Sequence, residues 1–280
     1  MKIYRYWCEK FLTETVDGVE KKRRFRAGAN ESFEAAEQAA EQRLRRYNAF
    51  RSAILNHTEL PEKTAPQEDY ANPICEELCH AINEKNLVTR NRYGALVLNS
   101  EELLFLDVDN VPYTFKERLK KFCGMAVPED RERLQFRLEG FLHLPEFQGM
   151  GIRLYATAKG FRILLSLPGL ETLRSPVMPE LFRKFNTDPL YAALCRKQQC
   201  FRARLTPKPA RIGMKTMIKF HFPYAEENKE AIAAYLAEYE KKSEEYAVCR
   251  LIAQLGKRFN SPAIEYHDQM TGCGRRLPLA

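Results

Sequence analysis

The strongest constraint on this chain is a set of short segments in which apolar and polar residues alternate, arranged in pairs with turn residues between them. LLFLDVD (103–109), GIRLYAT (151–157), GFRILLS (160–166) and FRARL (201–205) each repeat with a period of two. That period marks strands, because successive strand side chains point to opposite faces. GIRLYAT and GFRILLS meet around Ala158-Lys159-Gly160, a connection too short for a crossover, so the two strands must run antiparallel. YGALVLN and LLFLDVD, joined through the polar Ser100-Glu101-Glu102, read as a second hairpin. MKTMIKFHF (214–222) repeats the alternation, with Ile218, Phe220 and Phe222 against Lys215, Lys219 and His221.

Helical patterns lie between these strands. Ser32 precedes an amphipathic stretch from Phe33 to about Leu55, with Glu34, Glu37 and Glu41 early and Arg43, Arg45, Arg46 and Arg51 late, the order a helix dipole favours. Residues 1–27 read as a hairpin whose second strand is the basic KKRRFR. Pro61, Pro66 and Pro73 mark residues 58–73 as a loop. Further helices are expected over about 74–83, 129–142, 178–185, 189–199 and 226–255, and a short strand after Pro262. The order is α+β with mainly antiparallel strands, not a regular βαβ winding. It divides into a hairpin and helix (1–60), a core (61–225) and a helical extension (226–280), unless all three form one compact domain.

Charge and thiols narrow the class. Lys and Arg number 45 against 37 Asp and Glu, a formal charge of +8 that favours a polyanionic partner. No apolar run reaches the roughly 18 residues of a membrane span, and the start MKIYRYWCEKF lacks the apolar core of a secretory signal. The eight scattered cysteines then read as reduced thiols in a cytoplasmic protein. Cys75 and Cys79 would share one face of a helix, and Cys195 with Cys200 offers a second pair. Their spacings are not those of zinc knuckles, and core packing is the better reading.

The chemistry gathers on one strand face. In LLFLDVD, Leu104, Leu106 and Val108 take one side and Asp107 and Asp109 the other; in FRARL, Arg202 and Arg204 share a side. Two carboxylates closing one strand can bridge a pair of divalent ions about 3.5–4 Å apart, the clamp of in-line phosphoryl displacement. Oxygen ligation suits Mg²⁺ or Mn²⁺, and nearby cations would neutralise a triphosphate. The bland alternatives are that the acids only end a strand, that Asp188 before Pro189 only caps a helix, and that the arginines are solvated.

Taken in order, these motifs resemble the archaeo-eukaryotic primase superfamily, and within it the primase-polymerases. LFLDVD is similar to the family's acidic pair on an apolar strand. YATAKGFRILL (Tyr155 to Leu165) is similar to its second motif, and TDPLYAALCRKQQCFRARLTPK (Thr187 to Lys208) to its third, with Asp188, Tyr191, Arg196, Phe201, Arg202, Thr206 and Lys208 in the corresponding places. The resemblance covers about residues 90–222 and implies an RRM-like catalytic sheet packed on helices. It also implies Mg²⁺ or Mn²⁺ on Asp107, Asp109 and Asp188. The nucleotide-binding set is then Thr157, Lys159, Gly160, Arg162, Arg202, Thr206 and Lys208. Arg92, Arg196, Arg204 and Lys215 would contact nucleic acid, with a single-stranded template and nucleoside triphosphates as partners. One residue departs from the family: its second motif ends in His where this chain has Arg162. Arg grips phosphate with a permanent charge but exchanges no proton near neutral pH, so the change bears on catalysis more than on binding.

Two other readings stand beside the nucleotidyltransferase. A non-catalytic nucleic-acid- or nucleotide-binding member of the same fold would keep the sheet and lose turnover. A haloacid-dehalogenase-like phosphatase would use Asp107 as nucleophile and Asp109 as acid/base, but requires a parallel, doubly wound sheet. His267-Asp268 resembles a dyad, yet on a strand the two would face opposite sides.

Overall fold

The computed structural model describes residues 1, 3–16, 18–56, 74–166, 178–187, 189–217 and 221–280. Among these it is an α+β protein of three antiparallel sheets and seven α-helices. The first sheet is the hairpin β1 (Tyr6–Val16) and β2 (Val19–Ala29), in register from Tyr6↔Ala29 to Val16↔Val19. Helix α1 (Phe33–Leu55) packs on it, with Ala36 and Ala40 fully buried against Cys8, Ala27 and Ala29. The small alanine face lets helix and hairpin approach closely. Ser32 caps α1 as its position suggests, its Oγ accepting from Ala35 N at 3.2 Å.

Two four-stranded sheets follow. One has the order β3 (Glu77–Asn83), β4 (Asn86–Arg90), β5 (Leu96–Ser100), β9 (Phe201–Arg204). The other runs β10 (Cys249–Gly256), β7 (Gly151–Thr157), β8 (Gly160–Ser166), β6 (Leu104–Val108). Helices α2 (Phe115–Phe122), α3 (Asp130–Leu142), α4 (Met178–Lys184), α5 (Pro189–Gln198), α6 (Lys229–Ser243) and α7 (Pro262–Thr271) complete the set. One apolar core runs through both sheets, joining Val88 and Leu98 to Leu106, Leu138, Ile163, Phe182 and Ile264.

The structure corrects several expectations. LVLNS and LFLDV do not pair with each other: Ser100 Oγ accepts from Leu103 N at 2.8 Å, turning the chain out of one sheet and into the other. Residues 77–83 form an edge strand on β4 rather than a helix, which also removes the helical face proposed for Cys75 and Cys79. The stretch 226–255 is not one helix; α6 ends at Ser243, and β10 pairs with β7 from Cys249↔Thr157 onward. After Pro262 comes a helix, not a strand, capped by Ser261 and closed by Gly272 at φ 65°. Residues 214–217 lie in no strand, and Ile218, Lys219 and Phe220 fall outside the described residues, as do the Pro-rich loop and Asp188. Every ladder between named strands is antiparallel, which is not the frame of the phosphatase reading.

Candidate active site

The site forms where the two large sheets meet at their edge strands, β6 and β9. Tyr191 of α5 fills the seam: its hydroxyl donates to Phe105 O at 2.9 Å and accepts from Arg202 N at 3.3 Å. A second tie is Arg162 Nη1, which donates to Arg204 O at 2.9 Å. Strand alternation on β6 sends Leu104, Leu106 and Val108 into the core and leaves Asp107 half-buried on the opposite face, with Asp109 exposed just beyond the strand.

Gly160 fixes how tightly this end closes. A Cβ there would lie 2.3 Å from Val108 O and 3.0 Å from Asp109 Cα, so only glycine lets the β7–β8 turn rest on the carboxylate-bearing end of β6. That contact brings the β7–β8 turn, which carries the exposed Lys159, up to the backbone at Asp109. From the far side of the seam come Arg204, the exposed Lys208 and Arg211. Lys208 is held below the usual lysine range by partial burial and by the charges of Arg204, Arg211 and Lys159, against the pull of Asp109. Arg204 is pushed down to about 10 by burial and by the charges of Arg162 and Arg211, with Asp107 opposing. Its Nε is buried without a hydrogen-bond partner. Crowded cations that depress one another are the electrostatic mark of a place suited to an anion.

Arg162 is not among the groups open to a ligand. It is 1% exposed, the largest of the fully buried side chains. Its Nε donates to Asp107 Oδ1 at 3.0 Å, its cross-strand partner in the β6–β8 register. The structure therefore corrects its assignment as a phosphate-gripping residue. Arg202 is likewise engaged, Nη2 donating to Glu76 Oε2 at 2.5 Å, and Glu76 also accepts from Thr89 Oγ1. Thr206 Oγ1 accepts from Leu96 N at 2.9 Å and from Tyr239 Oη at 2.8 Å, closing a turn rather than facing the cluster. Thr157 ends β7 opposite Gly160. Arg196 is exposed on the last turn of α5. Arg92 lies over the Tyr93 ring, and Lys215 presents its carbonyl to Tyr235 Oη, which reaches Tyr93 O as well, so these two share a different patch.

Among the described residues no three His, Cys, Asp or Glu side chains gather around a common point suited to a metal ion. All eight cysteines are free, with Cys195 and Cys200 buried in the core and Cys79 exposed. Asp188 itself is not described, but residues on both sides of it are anchored to the acidic strand segment. Asn186 Nδ2 donates to Asn110 O at 3.3 Å, and Tyr191 Oη to Phe105 O.

Strand reading missed Arg211 and set aside the His267-Asp268 pair. His267 and Asp268 sit on α7 and do interact, His267 Nδ1 lying 2.9 Å from Asp268 Oδ1, contrary to the strand expectation. The Ser261-Pro262 helix-start signal would have placed them on a helix. The face of the sheet that carries Asp107 is therefore partly covered by α7, with the His267 ring tilted against Phe105 and edge-on to Tyr155, at 5.3 and 5.2 Å between ring centroids.

Comparison with known proteins returns no matching family, no matching curated protein and no matching solved structure. Among the described residues no helix is long and apolar enough to cross a membrane. Fold and site thus define an α+β protein with two carboxylates and a crowded cationic cluster at a seam between antiparallel sheets.

Proposed function

We propose that this protein is a metal-dependent nucleotidyltransferase of the primase-polymerase type, built on an RRM-like sheet and adding nucleotides to a nucleic-acid strand. One observation carries the reading: Asp107 and Asp109 close an edge strand beside a cationic cluster in which Arg211 and its neighbours depress the proton affinity of Arg204 and Lys208. Two carboxylates leave such a cluster under-neutralised. A triphosphate with its divalent cations restores the balance, the carboxylates taking metal and the cations taking phosphate.

The donor chemistry fits Mg²⁺ or Mn²⁺. Asp107 commits Oδ1 to Arg162, leaving Oδ2 as a hard donor, and Asp109 is exposed. Asp188 is the third carboxylate in this reading, supported by the anchoring of Asn186 and Tyr191 to the segment that bears the other two. Bound divalent ions would lower the pKa of the attacking hydroxyl and neutralise charge on the phosphates. The chain's own groups bind and orient: Lys159 and Lys208 are free to reach phosphate oxygens, while Arg204 supplies a fixed charge at the seam. Arg162 aims Asp107 and does not touch the nucleotide.

The test is incubation with labelled nucleoside triphosphates, Mn²⁺ or Mg²⁺ and a single-stranded template, resolved on a denaturing gel. Template-dependent products are expected, abolished by Asp109→Asn with the melting temperature unchanged, because Asp109 is exposed. Absence of metal-dependent products, or full activity in Asp109→Asn, overturns the assignment. A second reading, a binding member without turnover, is favoured by the occupation of Asp107 Oδ1 by Arg162. It predicts triphosphate binding in the presence of a chelator, insensitive to Asp109→Asn.

A further inference from the structure

The C-terminal helix places a buried histidine and a partly buried carboxylate behind the site, and nothing in the proposed chemistry uses them. His267 is fully buried. Its Nδ1 lies 2.9 Å from Asp268 Oδ1 and its Nε2 lies 3.2 Å from Arg162 Nη1. A carboxylate only accepts and a guanidinium only donates, so both neighbours select the same tautomer: the proton on Nδ1, the lone pair of Nε2 facing Arg162. Asp268 is itself fixed, accepting from Tyr155 Oη at 2.9 Å and pairing through Oδ2 with Arg153 Nη2 at 2.9 Å.

The consequence reaches the surface through one side chain. Arg162 has three acceptors set around a planar group: Asp107 Oδ1, Arg204 O and His267 Nε2. With all three in place the guanidinium is fixed, and it holds Asp107 by Oδ1 while leaving the partly exposed carboxylate its other oxygen. Remove His267 as acceptor and one edge of the fork loses its reference. An apolar side chain would fill the same space without desolvating a His–Asp pair, so packing alone gives no reason for these residues.

We propose that His267 and Asp268 are positioning residues which, through Arg162, set the Asp107 carboxylate for a divalent cation. The metal part rests on the nucleotidyltransferase reading; the control of Arg162 does not. Outer partners of this kind typically alter metal affinity about 10- to 100-fold.

The test compares His267→Leu, which removes the acceptor, with His267→Gln, whose amide oxygen replaces it. Mn²⁺ alone is titrated by electron paramagnetic resonance, and the Arg162 Nε–H resonance is followed in ¹⁵N-labelled full-length protein. About 10-fold weaker Mn²⁺ binding in His267→Leu is expected, with recovery to within about threefold in His267→Gln, and a faster-exchanging Arg162 proton only in the former. Equal Mn²⁺ affinity in wild type and His267→Leu overturns the proposal. If wild type binds no Mn²⁺, the metal reading fails, and an unchanged Arg162 resonance in His267→Leu would then overturn the positioning role too. Should His267→Leu not fold, Asp268→Asn serves. With its oxygen kept on Arg153 at the Oδ2 place, its NH₂ takes the Oδ1 place and faces both Nδ1 and Tyr155 Oη, so the proton moves to Nε2 against Arg162. The same two losses are expected, and their absence counts against the proposal.

Discussion

Arg162 shows how the fold can give a residue a task that its strand position alone does not suggest. The proposed primase-polymerase reading expects a nucleotide contact at this place; in the fold the residue is a buried strut. Its length and forked donors let one side chain satisfy a carboxylate, a backbone carbonyl and an imidazole at once, which a His, with two ring nitrogens, could not do. Arg162→Met should therefore act first on stability. It leaves Arg204 O and His267 Nε2 unsatisfied, at about 1–3 kcal/mol for each buried polar group, while the half-exposed Asp107 recovers part of its hydration. A total of about 3 kcal/mol corresponds to roughly 6–12 °C in melting temperature for a chain of this class, read by scanning calorimetry. Lys208→Ala, at an exposed position, should stay within about 0.5 kcal/mol of wild type and act on triphosphate affinity. Equal melting temperatures for Arg162→Met and wild type would remove the strut assignment.

At the scale of elements, β6, β7, β8 and β9 were legible because each writes its own two-residue alternation, and this was enough to put Asp107, Asp109, Lys159 and Arg204 on strand ends. What was not legible depends on partners far away in the chain. ELCHAIN reads as helix by propensity, yet β4 offers it an edge to pair with, and pairing overrides propensity. CRLIAQLG is hidden behind the charged run of α6, and only β7, about a hundred residues earlier, makes it a strand. His267 and Asp268 acquire meaning only from Arg162 and Tyr155, neither of them near in sequence. Gly160 is the opposite case, a local signal with a long-range reason. Gly160→Ala must push the β7–β8 turn off Val108 O and the backbone at Asp109. About 1–3 kcal/mol of overpacking strain is expected, measured by urea unfolding, together with weaker triphosphate binding as the turn that carries Lys159 moves from Asp109. Wild-type stability in this variant would mean that the close approach is not what selects glycine.

For the whole molecule, the seam between the sheets is also where stability depends on pH. Burial and the nearby Arg162 hold His267 below the ordinary histidine range, outweighing the hydrogen bond and charge of Asp268, with Arg153 adding to the depression. Burial pushes the Asp268 carboxyl up, but the hydrogen bond from His267, the charges of His267 and Arg153 and the bond from Tyr155 bring it below its usual value. Both shifts act in one direction. As pH falls through about 6.5, the unfolded chain protonates this histidine while the folded chain does not, so the unfolded state binds more protons and is favoured; below about 4 the same holds for Asp268. Stability contributed by the pair is complete above pH 7. The histidine should remove up to about 1.4 kcal/mol per pH unit between its unfolded and folded pKa values. His267→Gln, which cannot titrate, should flatten the dependence just below pH 6.5 while leaving the slope from 7 to 8 unchanged. Urea unfolding followed by far-ultraviolet circular dichroism at half-unit pH steps reads this difference. Superimposable wild-type and His267→Gln slopes from pH 5 to 6.5 would show that His267 takes up its proton in the folded protein as readily as in the unfolded chain, and so is not held neutral against Arg162.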